Sequence, residues 1–265
     1  MPSINISRLK IQAYNLACLF DQPAAFLDLL GETLRSYTNR TKRPSPASLR
    51  TSLPVLQTPR AVLLQLRLEL SPLVAERPDQ AIPIIKGLWQ AGYLETRLLA
   101  ASLLGHVPPE SALALLSDIP SWLHESKDKE VQQIILTEAL AGIRRTNREA
   151  FLSLIEIWLL DRDARVQTWG LRAMLPLLGE PGFVNLPKVF RLLGPTVENV
   201  SSTIQLDLAA CLGALELLSP TETSQFLQNI LMQSRDPQVF RIFRRMQPLL
   251  SKQLQEDLRG CLKIQ

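Results

Sequence analysis

The chain is expected to be all-α, a solenoid of about five to seven antiparallel helix pairs curved around a concave groove. Three observations predict this. Asp163-Ala-Arg-Val166 opens an amphipathic helix that runs to Leu178 with Gly179 just beyond it, and the same Asp-x-x-Val opening recurs at Asp128 and Asp236. The intervals are 35 and 73 residues, one and two steps of a period at which helix pairs stack. Strand signals are almost absent, with no alternating Val/Ile/Thr runs and no Asn-Gly hairpin turns. Finally, the 19 prolines and 11 glycines mostly fall between apolar stretches, where they are expected to end helices rather than interrupt them.

An apolar content of 46% allows a large core, which in a repeat protein runs continuously along the stack. The net charge of +4 permits contact with nucleic acid without requiring it. Cys18, Cys211 and Cys261 are odd in number and far apart, which argues against a disulfide framework or a zinc ribbon. The opening residues do not read as a secretion signal, and no apolar run is long enough to span a bilayer. A cytoplasmic location, no membrane contact, no cofactor and no metal are therefore expected.

Residues 6–37 read as two helices split at Asp21-Gln22-Pro23, with Leu9, Ala13, Leu16 and Phe20 on one apolar face and Phe26, Leu29, Leu30 and Leu34 on the other. Thr38 to Pro59 is irregular and contains the basic Lys42-Arg-Pro-Ser-Pro46 segment, a solvated loop or a phosphate contact. Residues 1–55 are thus expected to pack as an N-terminal part on a continuous solenoid of residues 56–265. Thr58 is expected to cap a helix from Arg60 towards Pro72, with Pro59 at its first position. Helices follow over 80–91 and 93–104, then shorter ones over 109–125. One helix is expected over 128–142. The later pairs are 148–160 with 163–178, 186–193 with 202–218, and 220–233 with 236–249, closed by 251–262. Gly105, Gly142 and Gly179 recur every 37 residues at the ends of second helices, where a left-handed glycine would satisfy terminal carbonyls.

In helix 163–178, Val166, Trp169, Gly170, Ala173, Leu177 and Leu178 form the buried stripe, and small Gly170 and Ala173 allow a close helix approach. Arg165, Thr168 and Arg172 lie on the opposite stripe. The same offsets give Glu130, Gln133 and Thr137 in one repeat and Gln238, Arg241 and Arg245 in another. This surface becomes more basic towards the C-terminal half.

Enzymatic motifs are scarce. There is no Gly-rich phosphate loop, no His-Glu-x-x-His and no Gly-x-Ser-x-Gly. His106 and His124 sit at helix ends, where a solvated role is the simplest reading. Trp89, Trp122, Trp158 and Trp169 fit helical packing, with Trp169 also a candidate platform at the groove edge. The arginines are the strongest binding signal: Arg144 with Arg145, Arg165 with Arg172, and Arg241 with Arg244 and Arg245. They could neutralise phosphates, or they could cover apolar helix surface and pair with Glu149, Asp161 or Glu180.

The repeat interval, the paired helices and the Asp-x-x-Val opening resemble HEAT repeats. Leu56-Gln-Thr-Pro-Arg60 with Leu63-Leu64, and Leu88-Trp-Gln-Ala-Gly-Tyr-Leu-Glu-Thr-Arg97 with Ala100-Ala101 and Leu103-Leu104, resemble the AlkD-type DNA alkylation repair family over about residues 56–231. That resemblance implies alkylpurine DNA glycosylases that hold DNA on a concave face and use an Asp assisted by Trp and Arg. The Asp position falls close to Gln133, the Arg position near Thr168 and an aromatic position near Cys211 or Leu212, so none of the three types matches. A neutral Gln cannot stabilise positive charge developing on a sugar. Glu130, or Asp128 at the cap, is the fallback acid.

The expectation is a non-catalytic binder of duplex DNA through Arg144, Arg145, Arg165, Thr168, Trp169, Arg172, Arg241 and Arg245. The alternatives are an active glycosylase and a scaffold holding a protein segment in its groove.

Overall fold

The computed structural model describes residues 5–38 and 51–263. The Lys42–Pro46 segment lies outside the described residues. Everything described is helix, turn or irregular connection, so the fold is all-α. The chain divides into two compact units, Met1–Asn147 and Arg148–Gln265.

The first unit contains α1 (Ile6–Ala17), α2 (Pro23–Ser36), α3 (Arg60–Glu76), α4 (Pro78–Gln90), α5 (Leu94–Leu104), α6 (Pro109–Leu116), α7 (Ile119–Glu125), α8 (Lys129–Ile134) and α9 (Ala141–Thr146). Helices touch their next-but-one neighbours: α1 packs on α3 and α3 on α5, while α2 packs on α4 and α4 on α6. Two rows result, stitched by contacts between α1 and α2, α3 and α4, and α4 and α5. The sequence drives this packing. In α4 the buried residues Ala81, Ile84, Ile85 and Leu88 follow the i, i+3, i+4, i+7 pattern, and each such Leu or Ile is worth about 1.5–3 kcal/mol when fully covered.

The N-terminal helices join this packing directly. Tyr37 donates its hydroxyl to Gln12 at 2.7 Å, Thr38 to the Leu56 carbonyl at 2.8 Å, and Thr58 to the Leu34 carbonyl at 3.1 Å. Thr58 is therefore not the cap of α3. That helix starts after Pro59, and its entry is organised instead by buried Glu95 of α5. The two Glu95 oxygens accept the backbone N–H groups of Leu56 at 2.9 Å and Thr58 at 3.2 Å, clasping Gln57 in a left-handed conformation (φ 58°).

The second unit contains α10 (Arg148–Leu159), α11 (Ala164–Leu178), α12 (Leu186–Glu198), α13 (Gln205–Leu218), α14 (Pro220–Gln233), α15 (Pro237–Met246) and α16 (Lys252–Lys263). It too alternates: α11 contacts α13 and α13 contacts α15, while α10, α12, α14 and α16 form the other series. All residues expected on the buried stripe of α11 are buried. A Cβ on Gly170 would come within 3.0 Å of the Leu159 side chain, so the small residue does permit the close α10–α11 approach.

The three repeated aspartates are caps. Asp128 accepts from the N–H groups of Glu130 and Val131, Asp163 from Arg165, and Asp236 from Gln238. Several expectations at helix ends and interiors need correction. Pro72 and Pro195 lie inside helices rather than ending them, as Pro83 and Pro176 do within helices expected to contain them. None of the four is buried, so the carbonyl that each leaves without a helical donor can bond to water. The left-handed glycines are Gly92 and Gly182, not Gly105, Gly142 or Gly179. Gly105 is recurrent for a different reason: a Cβ there would lie 2.0 Å from the Glu138 carbonyl oxygen, so only glycine permits this backbone contact.

Candidate functional site

The expected single helix over 128–142 is three pieces. After α8 the backbone widens into a π-turn over Ile135–Ala139 before α9 resumes the α-helix. In an uninterrupted helix Glu138 would follow Val131 by seven residues on the same buried face. The π-turn holds one additional residue, so the buried positions become Ile135, Leu136, Ala139, Leu140 and Ile143. Glu138 is thereby turned out to the edge of the core, half-buried.

There it meets two neighbouring helices. Arg67 of α3 donates from Nη1 to Glu138 Oε2 at 2.7 Å, and Ser102 of α5 donates its hydroxyl to the same oxygen at 2.6 Å. These residues open onto a cleft of about 370 Å³ lined also by Leu68, His106, Thr137, Arg144 and Arg145. Arg144 is buried, with Nη1 donating to the Thr137 carbonyl at 3.0 Å, whereas Arg145 is exposed. His106 stands at the end of α5, and its pKa is lowered from the usual 6.5. Partial burial is the largest cause, followed by the charges of Arg67 and Arg145, against which Glu138 pulls upward. Arg67 is paired with Glu138, and exposed Arg145 lines the cleft beside that pair.

The positions expected to bear chemistry are elsewhere. Gln133 is exposed on α8, and the fallback acid Glu130 is ion-paired with Arg60 at 2.7 Å. Asp128 is buried and spends one oxygen on its cap bonds. Arg67, Ser102 and Glu138 were absent from the expected site. No sequence signal marks a π-turn, and the Gly105/Gly142 spacing suggests left-handed caps rather than the close contact beside it.

In the second unit, Arg165 is exposed and returns to its own cap, with Nη2 2.8 Å from Asp163 Oδ2. Its pKa is raised by that hydrogen bond and by the Asp163 charge. Thr168 is half-buried and donates to the Ala164 carbonyl at 3.0 Å. Trp169 is only 4% exposed, its ring edge-on to Trp158 at 6.2 Å, so it offers no face to a base. This corrects the platform reading: the inter-helix core claims the ring. Arg172 Nε donates to Asp207 of α13 at 2.7 Å, with Nη2 at 3.3 Å from the other oxygen. Glu149 pairs with Lys188 and Glu180 with Arg148. Buried Cys211 donates its thiol to the Leu171 carbonyl, and burial pushes its pKa up.

Helix α15 is different. Val239, Phe240, Ile242, Phe243 and Met246 are buried, and Arg241, Arg244 and Arg245 are exposed on the other side with no acidic residue in the helix. Arg235 and Gln238 are exposed as well. Among the described residues, neither Arg241 nor Arg245 has an ion-pair partner.

Also among the described residues, no group of three or more His, Cys, Asp or Glu could hold a metal ion, and no helix is long and apolar enough to cross a membrane. No family model, curated protein or solved structure matches this chain.

Proposed function

We propose that the chain is a HEAT-like helical-repeat protein, similar in plan to the AlkD-type family, that binds duplex DNA through its phosphate backbone without catalysis. The observation that carries this reading is the arginine ridge of α15, where Arg241 and Arg245 are exposed over a fully apolar inner face. Arginine presents a planar fork of donors that fits phosphate oxygens, and it stays charged at any working pH. The next-but-one helix contacts within each unit support the repeat reading, since short connections favour antiparallel neighbours. The engagement of Glu130 by Arg60 and the neutral Gln133 support a non-catalytic role.

Fluorescence anisotropy with a labelled duplex across a salt series tests this. Phosphate contacts by Arg241 and Arg245 contribute about 2 to the slope of log K against log salt, so Arg241→Ala with Arg245→Ala should make it shallower by about 2. Absence of duplex binding at low salt, or binding indifferent to the double substitution, would overturn the proposal. Release of free 7-methylguanine from alkylated duplex would replace it with a glycosylase.

A further inference from the structure

We infer that a cavity between α2 and α4 binds a small monocarboxylate with an apolar body, its carboxylate meeting the Arg35 guanidinium at the rim. The inference is independent of duplex binding by α15, which belongs to the other unit.

The cavity follows from where two helix-interior glycines fall. α2 packs on α4, and a Cβ on Gly87 of α4 would overlap Leu27 Cδ1 of α2, so Gly87 serves that close approach. Gly31, one turn beyond Leu27, is different. The three nearest neighbours of a Cβ there would all be atoms of the Arg35 guanidinium, at 3.6 to 4.0 Å. Glycine inside a helix weakens it relative to alanine, and here an alanine methyl would fit at ordinary contact distance. What Gly31 provides is room. Both glycines line a space of about 120 Å³ whose walls are Leu27, Leu30, Leu56 and Leu88. Leu30 and Leu88 are buried, so the inner end is apolar.

Charge and size set the ligand class. Arg35 is the one charged residue lining the cavity, and it has no ion-pair partner among the described residues. Its guanidinium folds back along α2 over Gly31, setting a fork of donors at the rim of an apolar space. One guanidinium matches one carboxylate, whereas a dianion would leave charge against leucine. The Thr96 hydroxyl is spent on the Tyr93 carbonyl at 3.0 Å, which leaves the interior poor in polar groups for a sugar. An apolar cavity of about 150 Å³ holds a benzene ring, so this one suits a ring or a short chain with the carboxylate outside at the rim.

The full chain is titrated at neutral pH and fixed ionic strength with benzoate, hexanoate and benzyl alcohol, followed by calorimetry and amide NMR. Benzoate or hexanoate should shift the amide signals of residues 27–35 and 87–96, and the stronger of the two identifies the body as ring or chain. Benzyl alcohol, of the same size as benzoate without its charge, should bind about tenfold more weakly for want of the charge-assisted contact. Arg35 is exposed, so Arg35→Gln should fold as the parent does and bring the carboxylate down to the level of the alcohol. Gly31→Leu fills the cavity from its wall and should abolish binding of all three. If that variant fails to fold, Gly31→Ala keeps the test open: its urea midpoint should rise while carboxylate binding weakens. Absence of carboxylate binding at millimolar concentration, equal affinity for benzoate and benzyl alcohol, or affinity unchanged by Arg35→Gln overturns the inference.

Discussion

Replacing Gly105 by Ala adds one methyl group at the tightest backbone contact of the cleft. The new Cβ would stand 2.0 Å from the Glu138 carbonyl oxygen and 2.9 Å from its carbonyl carbon. Both are backbone atoms, so no rotamer change relieves the clash. Separation by about 1 Å between α5 and the π-turn is required, and it stretches the Ser102–Glu138 bond that ties them. Two opposing effects set the outcome. Gly105 has helical angles (φ −64°, ψ −11°), so alanine should gain about 0.4–1 kcal/mol by restricting the unfolded chain. Overpacking costs about 1–3 kcal/mol, and the weakened hydrogen bond adds about 1. The clash wins, for a net loss of about 2–3 kcal/mol. In urea that corresponds to a midpoint lower by about 1 M, and peptide-level hydrogen exchange should place the loosening in α5 and residues 135–139. Gly179→Ala is the control: its Cβ would meet only the Leu175 and Pro176 carbonyl oxygens at an ordinary 3.7 Å, so the variant should be no less stable than the parent. If Gly105→Ala melts with the parent, the backbone contact has been misread.

Glu95→Ala strands two backbone donors and releases the left-handed Gln57, so it should lower stability by about 2–4 kcal/mol, read by the same urea melt, while Glu95→Gln recovers part of it. Arg172→Ala leaves Asp207 partly buried without its partner; the pair is only part-shielded, so about 1–2 kcal/mol is expected, and a double-mutant cycle with Asp207→Ala should recover most of it. Because Arg172 is committed to Asp207, its loss should weaken duplex binding less than loss of Arg245. His106 should titrate by NMR with a midpoint below 6.5, moving upward in Arg145→Ala. The unfolded chain takes up that proton first on acidification, so the His106 contribution to stability is intact above pH 6.5 and is lost as pH falls through the folded midpoint. A midpoint at or above 6.5 contradicts the electrostatics of the cleft.

Much of the architecture was legible because its causes are local. An Asp two or three residues before the N–H groups it caps is visible in sequence, and Asp128, Asp163 and Asp236 all cap as read. The apolar stripe of α11 and the close approach at Gly170 followed from period and size. What failed depended on partners far along the chain. Thr58 has the chemistry of a cap, but Leu34 takes its hydroxyl and Glu95 takes its N–H, from 24 and 37 residues away. The 37-residue glycine spacing suggests left-handed caps, but none of the three glycines is left-handed, and of them Gly105 alone has a backbone contact that a Cβ would enter closer than 3 Å.

Glu138 shows why the cleft was the least legible part. Assigning a face to a helical residue assumes constant pitch, and one extra residue in a turn rotates everything beyond it by about 100°. Under constant pitch Glu138 belongs to the face of buried Val131, where an ionised carboxylate would have to be paired or expelled. The structure does both in part: the π-turn swings it towards the surface, and Arg67 and Ser102 hold it there. The α5 backbone at Gly105 approaches the π-turn from outside, as closely as it does only because no Cβ intervenes. Carboxylate, π-turn and glycine therefore form one unit, and the cleft should lose its shape if any of the three is changed. Glu138→Leu separates the causes: if burial pressure alone drives the π-turn, leucine should let the segment return to a regular helix, and hydrogen exchange over residues 135–139 should slow. If the backbone contact at Gly105 drives it, exchange there should stay as it is.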